Sequence, residues 1–398
     1  MAIEMEAAML VTEEIIDKFE DFHEVLGYQP EDSLFFDIET TGLSHTAASV
    51  FLIGTIARET DRWVLTQYLA EKNDEEELLL RRFFADAAPF QTLIHFNGTA
   101  FDLPFLLARA RQFQIPVTGT DADGHWKKHS LDLYQQFRPL KTPLKLKRVN
   151  QLSLECAAGW HREDTLTGKQ MTALFHGFAK TEDPEIRRLL LLHNHDDLLG
   201  MTKILSLAAY RLLFAPEAVR TGSVSVQGPT PEALSGFPRP EVPSKDTPWQ
   251  LRISFALSHP VPGTLLTENP FSLSITGADG LLTLPCFHGE LRFFFPDYKN
   301  YAYLPLENQA VHKSVAACVD ADYRIPATPE TCFVRRTALF CMQPKGFRTP
   351  AFRERYDSAK SYFEYDPSLP MDQPTLTRLI CFALDESFPA LAKLWKRT

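Results

Sequence analysis

The chain has 398 residues, of which 44% are hydrophobic and 23% charged, with a formal net charge of -10. That length exceeds one ordinary core and points to two domains, and the composition is that of a soluble globular protein rather than a disordered or fibrous one. No apolar run approaches the ~20 residues that cross a bilayer, so no membrane partner is expected. The opening MAIEMEAAML lacks the basic segment of a signal peptide. Six cysteines without a CxxC pair argue against a zinc ribbon and fit a reduced, cytoplasmic chain.

In chain order, Thr12, Glu13 and Glu14 read as a helix start, with Ile15, Ile16, Phe19, Phe22 and Leu26 at helical spacing. An N-terminal helical segment is therefore expected within residues 1–30. SLFFDIE (33–39), VFLIGTIA (50–57) and RWVLTQYLA (62–70) read as strands of an antiparallel meander. DEEELLLRRFFADA (74–87) is a helix with acids at its start, TLIHF (92–96) a fourth strand, and AFDLPFLLARARQF (100–113) a helix that tolerates Pro104 in its first turn. Asp183–Pro184 opens a long helical stretch to residue 213. Residues 216–247 are rich in Pro, Gly and Ser and read as a linker. From 248 to 398 the pattern changes to short strand-like runs, QLRISFAL, FSLSIT, LLTLPCF, LRFFFP and YAYLPL, the signature of a β-rich domain.

The acidic balance is uneven. Residues 1–90 carry 20 acidic against 6 basic side chains, and residues 91–215 carry 12 against 16. The middle third includes LKTPLKLKRVN, in which Lys141, Lys145, Lys147 and Arg148 face no acid; such a stretch is either a solvated loop or a local attractor for a polyanion. In LRFFFPDYKNYAYLP, aromatics alternate with basic residues; core packing is the simpler reading, base stacking the other.

Chemistry concentrates in three segments. In FDIETTGL, Asp37 and Glu39 end an apolar strand and share one face, where two carboxylates repel unless cations compensate them. Oxygen-only ligands of this kind suit Mg²⁺ or Mn²⁺. Asn97 and Asp102 lie at a strand-to-helix junction in NGTAFDLPFL. His193 and Asp197 in HNHDD stand four apart and share one helix face. Each segment alone has an ordinary structural reading: an exposed strand end, a dipole-stabilising acid, a hydrogen-bonded core histidine.

Together, and in this order, the three segments resemble the exonuclease motifs of the DnaQ-like, or DEDD, branch of the RNase H-like superfamily. Within it they are similar to the YprB-type bacterial proteins. HSLDLYQQFR and LKRVNQLSLECAAGWHREDTLTG also resemble segments of that group. The resemblance covers residues 33–212 and implies an α/β domain at 31–215, an RNase H-like mixed five-stranded sheet flanked by helices, followed by the β-rich domain. It implies metal-dependent 3′→5′ exonuclease activity on single-stranded DNA or RNA with a free 3′ end. Asp37, Glu39, Asp102 and Asp197 would then hold two Mg²⁺ or Mn²⁺ ions, with His193 as general base. Thr40, Thr41, Gly42, Leu43, Asn97 and Phe101 would meet the terminal nucleotide, with Lys145, Lys147 and Arg148 on the strand. One departure stands out: the histidine-using enzymes of that branch space base and acid as HxxxxD, whereas here the spacing is HxxxD. Two other readings compete. An aspartate-nucleophile phosphatase would use Asp37, but it needs an Asp where Glu39 stands. A degenerate domain that only binds nucleic acid or an adaptor partner would ordinarily have lost one of the acids.

Overall fold

A computed structural model describes residues 9–395 apart from 17–18, 20, 73, 122–125, 221, 229–243, 247 and 370. Two units emerge, Met1–Tyr210 with Val261–Gly263, and Arg211–Pro260 with Thr264–Thr398.

The first unit is built on a six-stranded mixed sheet. Its strands are β1 (Leu10–Ile16), β2 (Ser33–Thr40), β3 (Val50–Glu59), β4 (Arg62–Leu69), β5 (Thr92–His95) and β6 (His129–Asp132), in the spatial order β1-β4-β3-β2-β5-β6. From β1 to β2 neighbours run antiparallel, and β2, β5 and β6 run parallel. The helices are α1 (His23–Leu26), α2 (Glu76–Ala87), α3 (Asp102–Gln112), α4 (Leu133–Phe137), α5 (Gln151–Ala157), α6 (Gly168–Thr181) and α7 (Pro184–Ile204).

Strand alternation decides what faces what. Leu34, Phe36 and Ile38 of β2 join Leu79, Leu80 and Phe83 of α2 and Phe105 and Leu106 of α3 in one buried cluster. On the other side of the sheet, Phe51, Leu52 and Leu69 pack on Met171, Phe175 and Phe178 of α6 and Leu190 of α7, with the Phe51 and Phe175 rings stacked at 4.1 Å. Asp37 and Glu39, out of phase with Ile38, belong to the α7 side.

Two expectations are corrected here. The stretch beginning at Thr12 lies in a strand, β1, and among the described residues of this region only His23–Leu26 is α-helical. The β-branched Val11, Thr12, Ile15 and Ile16 suit an extended chain, and β1 completes the otherwise open edge of β4 over seven residue pairs from Leu10↔Leu69 to Ile16↔Trp63. The apolar spacing read as helical instead places Phe19 on Trp63 at 4.6 Å and against Phe35. The sheet consequently has six strands, not five.

The long helix opens as expected, with the Asp183 side chain accepting from the Glu185 N–H at 2.8 Å and Pro184 following it, but α-helix ends at Ile204 and the chain continues as 3-10 turns through Phe214. No helix of the described residues is long and apolar enough to cross a membrane.

The second unit is an antiparallel β-rich region. Its five-stranded sheet runs β14-β13-β9-β8-β7, from β7 (Ser225–Gln227), β8 (Trp249–Thr267), β9 (Ser272–Phe294), β13 (Phe333–Gln343) and β14 (Ser361–Glu364). A small sheet of β10 (Tyr301–Leu304), β11 (Gln309–His312) and β12 (Ile325–Pro326) accompanies it. Two helices, Gln373–Ser387 and Pro389–Trp395, close the chain. About half of the expected linker, residues 221, 229–243 and 247, lies outside the described residues; within it Ser225–Gln227 pairs with β8. The aromatics of the run are half-buried, with Phe295 stacked on Tyr301 at 4.6 Å and Phe294 against Phe333 of β13 at 5.4 Å. All six cysteines are free thiols.

Candidate nuclease site

The site forms where β2 outruns its parallel neighbour. β5 pairs with β2 only at Ser33, Leu34 and Phe35. The rest of β2 projects past the carboxyl end of β5, still paired with β3 as Asp37↔Gly54 and Glu39↔Leu52 and, after a register shift at Glu39/Thr40, as Thr40↔Val50. Crevices outside the carboxyl ends of parallel strands are where open α/β sheets bind ligands. Beyond β5, Asn97 takes a positive φ of 61° while its N–H donates to Asp132 Oδ1 at 2.9 Å, and the chain turns into α3 with Asp102 as its first residue. Helix α7 brings the third segment across β2 and β3.

Every residue of HNHDD has a distinct task in the geometry. Asn194 donates to Asp37 Oδ2 at 3.0 Å and accepts from Gln67 Nε2 at 2.9 Å. That approach requires Gly54, because a Cβ there would lie 2.1 Å from the Asn194 amide oxygen. The Asp196 carboxylate accepts the N–H groups of Glu163 and Asp164 at 2.9 and 2.8 Å, and its other oxygen meets His195, which also reaches Glu14. His193 and Asp197, one turn apart, face Glu39: His193 Nε2 is 3.4 Å from Glu39 Oε1 and 3.5 Å from Asp197 Oδ2. Glu39, His193 and Asp197 offer ligand atoms all within 4.8 Å of one another.

The electrostatics are those of an undercompensated cluster. Burial, then the charges of Asp197, Glu39 and Asp102, hold Asp37 well above the ordinary carboxylate range, against the pull of the Asn194 amide. Glu39 is raised likewise by burial and by Asp197, Asp102 and Asp164. Asp102 is pushed up to about 7, mainly by burial, although its own N–H and that of Ile38 donate to it. The fourth acid differs. Arg162 Nη1 lies 2.8 Å from Asp197 Oδ1, and the same guanidinium pairs with the fully buried Glu155. Glu155 packs so closely on α7 that a Cβ at Gly200 would lie 1.9 Å from it. Mutually repelling carboxylate oxygens, buried at Glu39 and Asp102 and half-buried at Asp37 and Asp197, are the right chemistry for a hard divalent cation, so the four acids fit such a group, with Arg162 already neutralising part of Asp197.

A cleft of about 500 Å³ adjoins the acids, lined by Asp37, Ile38, Phe96, Asn97, Phe101, Asp102, Tyr134, Val149 and Asn150. Of the residues expected to meet a nucleotide, Asn97 and Phe101 line it. Lys145, Lys147 and Arg148 are exposed and do not, but the chain runs from them directly into Val149 and Asn150, which do. Thr40 ends β2 and Thr41, Gly42 and Leu43 form the bend after it, tied by a Thr40 hydroxyl bond to the Gly42 carbonyl and by paired contacts between Thr41 and Ser49. Leu43 at its tip is 89% exposed.

Several contributors escaped the sequence reading. Arg162, Asp164 and Glu155 sat in a recognisable segment, but nothing in it said that they reach α7. Asn194 and Asp196 were visible only as neighbours of His193 and Asp197.

The fold of the first unit is RNase H-like, and residues 34–209 match the RNase_H_2 family model of the RNase_H superfamily. The chain is also 29% identical over 180 residues to the uncharacterized protein YprB of Bacillus subtilis strain 168. That match takes in 45% of this chain and 42% of the relative, so the chain spans less than half the length of the curated protein it resembles. Among solved structures, the family B DNA polymerase of Pyrobaculum calidifontis aligns with TM-score 0.36 and 19% identity over 47% of this chain and 25% of that one. The zinc-bound E. coli ExoI–ssDNA complex aligns with TM-score 0.24 and 15% identity over 42% and 43%.

Proposed function

We propose that the first unit is a metal-dependent 3′→5′ exonuclease acting on single-stranded nucleic acid. The observation that carries this reading is the convergence of Asp37, Glu39, Asp102 and Asp197 with His193 at the carboxyl ends of β2 and β5. The four acids would hold two Mg²⁺ or Mn²⁺ ions. When bound, such ions supply Lewis acidity that eases deprotonation of a water and offsets charge on the leaving oxygen. His193 Nε2 takes the proton of the attacking water. The water oxygen bonds to phosphorus, the bond from phosphorus to the 3′ oxygen of the preceding nucleotide breaks with its electron pair on that oxygen, which takes a proton from solvent, and a nucleoside 5′-monophosphate leaves. Phe96, Phe101 and Tyr134 offer flat faces to the terminal nucleoside in the cleft, and Lys145, Lys147 and Arg148 follow the phosphates behind it. The direction of attack is supported by the resemblance to DnaQ-like enzymes.

The test is degradation of matched, labelled DNA and RNA strands with and without Mg²⁺ or Mn²⁺. A 3′-phosphate block should slow release strongly and a 5′ block little; equal degradation of a circular strand would overturn the direction. A second reading, binding without turnover, draws on Arg162, which already neutralises Asp197. Retention of strands with no metal-dependent product would decide for it.

A further inference from the structure

Resting on the nuclease reading above, the geometry points to Asp164 as the positioning residue that sets the tautomer of His193 and so leaves Nε2 free to accept a proton. His193 Nδ1 lies 2.6 Å from Asp164 Oδ2, a separation that requires a proton between the two atoms. Nε2 stands 3.4 and 3.5 Å from its two carboxylate neighbours, beyond a good hydrogen bond. The Asp164 Oδ1 atom is already committed as an acceptor to the Leu166 N–H at 3.0 Å. An imidazole is ordinarily a stronger base than a carboxylate, so the shared proton is assigned to Nδ1, which leaves Nε2, on the side of Glu39 and Asp197, as the ring's acceptor nitrogen.

The arrangement is built rather than incidental. Asp164 is 6% and His193 7% exposed. The backbone carrying Asp164 is clamped to α7 by Asp196, whose Oδ2 accepts from the N–H groups of residues 163 and 164. Asp196 and His193 lie three apart on one helix, so the element that carries the base also fixes the group that orients it. When Nε2 takes a proton, the charge gained by the ring is met by Asp164 across the existing hydrogen bond, with no reorganisation.

The substitution Asp164→Asn tests this sharply. The Leu166 N–H holds an oxygen at the Oδ1 position, so the amide nitrogen takes the place of Oδ2 and donates to Nδ1. The ring is then driven to the Nε2–H tautomer. In metal-free protein, ¹⁵N–¹H correlation spectra of the neutral ring, identified by comparison with His193→Ala, should show Nδ1–H in the wild type and Nε2–H in Asp164→Asn. Turnover should fall by roughly 10²–10⁴-fold, the span for losing a general base, with KM for the strand little changed. Asp164→Glu, which keeps an acceptor, should recover part of it. In a His193→Ala background Asp164→Asn should cost nothing more. An unchanged tautomer in Asp164→Asn, or an equal loss with and without His193, would overturn the assignment. The tautomer readout needs no activity, so a chain that hydrolyses no strand defeats the nuclease reading and leaves this test standing.

Discussion

Two groups of acids in the first unit are compensated in opposite ways. Glu76 and Arg109 are 3% and 6% exposed and meet as a two-pronged ion pair, with Arg109 Nε 2.7 Å from Glu76 Oε1. The remaining capacity is also used: Glu76 accepts the Val50 N–H at 2.9 Å, and Arg109 reaches the His45 carbonyl and Gln112. That pair ties α2 and α3 to the start of β3. At the end of β2, by contrast, Glu39 and Asp102 are buried and Asp37 half-buried, none of them pairs with an arginine or lysine among the described residues, and each is displaced upward by burial and then by neighbouring acids. A satisfied buried acid is a fastener. An unsatisfied cluster costs stability, and it persists where a cation supplied from solution completes it.

The largest effect expected from this contrast is on turnover. Asp37→Ala or Asp197→Ala should reduce strand cleavage to background while the fold persists, as judged by circular dichroism; near-normal activity at saturating Mn²⁺ would remove them from the site. His193→Ala should lower turnover by roughly 10²–10⁴-fold and leave metal affinity almost unchanged, because imidazole is a weak ligand for a hard ion. Titration calorimetry with Mg²⁺ separates the two outcomes.

Breaking the fastener should act on stability instead. Glu76→Gln leaves Arg109 buried and short of a charge partner, and a loss of about 3–5 kcal/mol is expected in chemical denaturation, the scale for breaking a buried pair. A loss below about 1 kcal/mol would show the pair to be replaceable.

The subtlest expectation concerns pH. Asp102 has a folded value of about 7, above its value in the unfolded chain, so the folded state binds the extra proton. Metal-free protein should accordingly be most stable at low pH with respect to this group and lose that stability as pH rises from ~4 through 7. Asp37 and Glu39 are displaced in the same direction. Saturating Mg²⁺, or Asp102→Asn, should flatten the slope of melting temperature against pH over this interval. A slope that neither changes would place its origin elsewhere.

Much of this was written in local pattern. The β2–β3–β4 meander, α2, α3 and the start of α7 followed from apolar period, acids at helix starts and Pro104 and Pro184, because each is decided by neighbours a few residues away. The pairing of Asp37 with Glu39 on one strand face, and of His193 with Asp197 on one helix face, follows from the periods of strand and helix alone. Other features were decided only at a distance. β1 is a strand because β4 offered an edge, which outweighed a plausible helical spacing. Arg162 and Asp164 reach α7 from a segment without regular structure, and residues thirty or more apart in sequence become hydrogen-bond partners only once the sheet has stacked its helices. The sequence alone therefore determined which acids and which histidine share a strand or helix face, since a side chain's acidity and its phase along an element are local properties. Their compensation was left to the tertiary structure, because a buried charge is judged by everything that surrounds it, and those surroundings come from the whole domain.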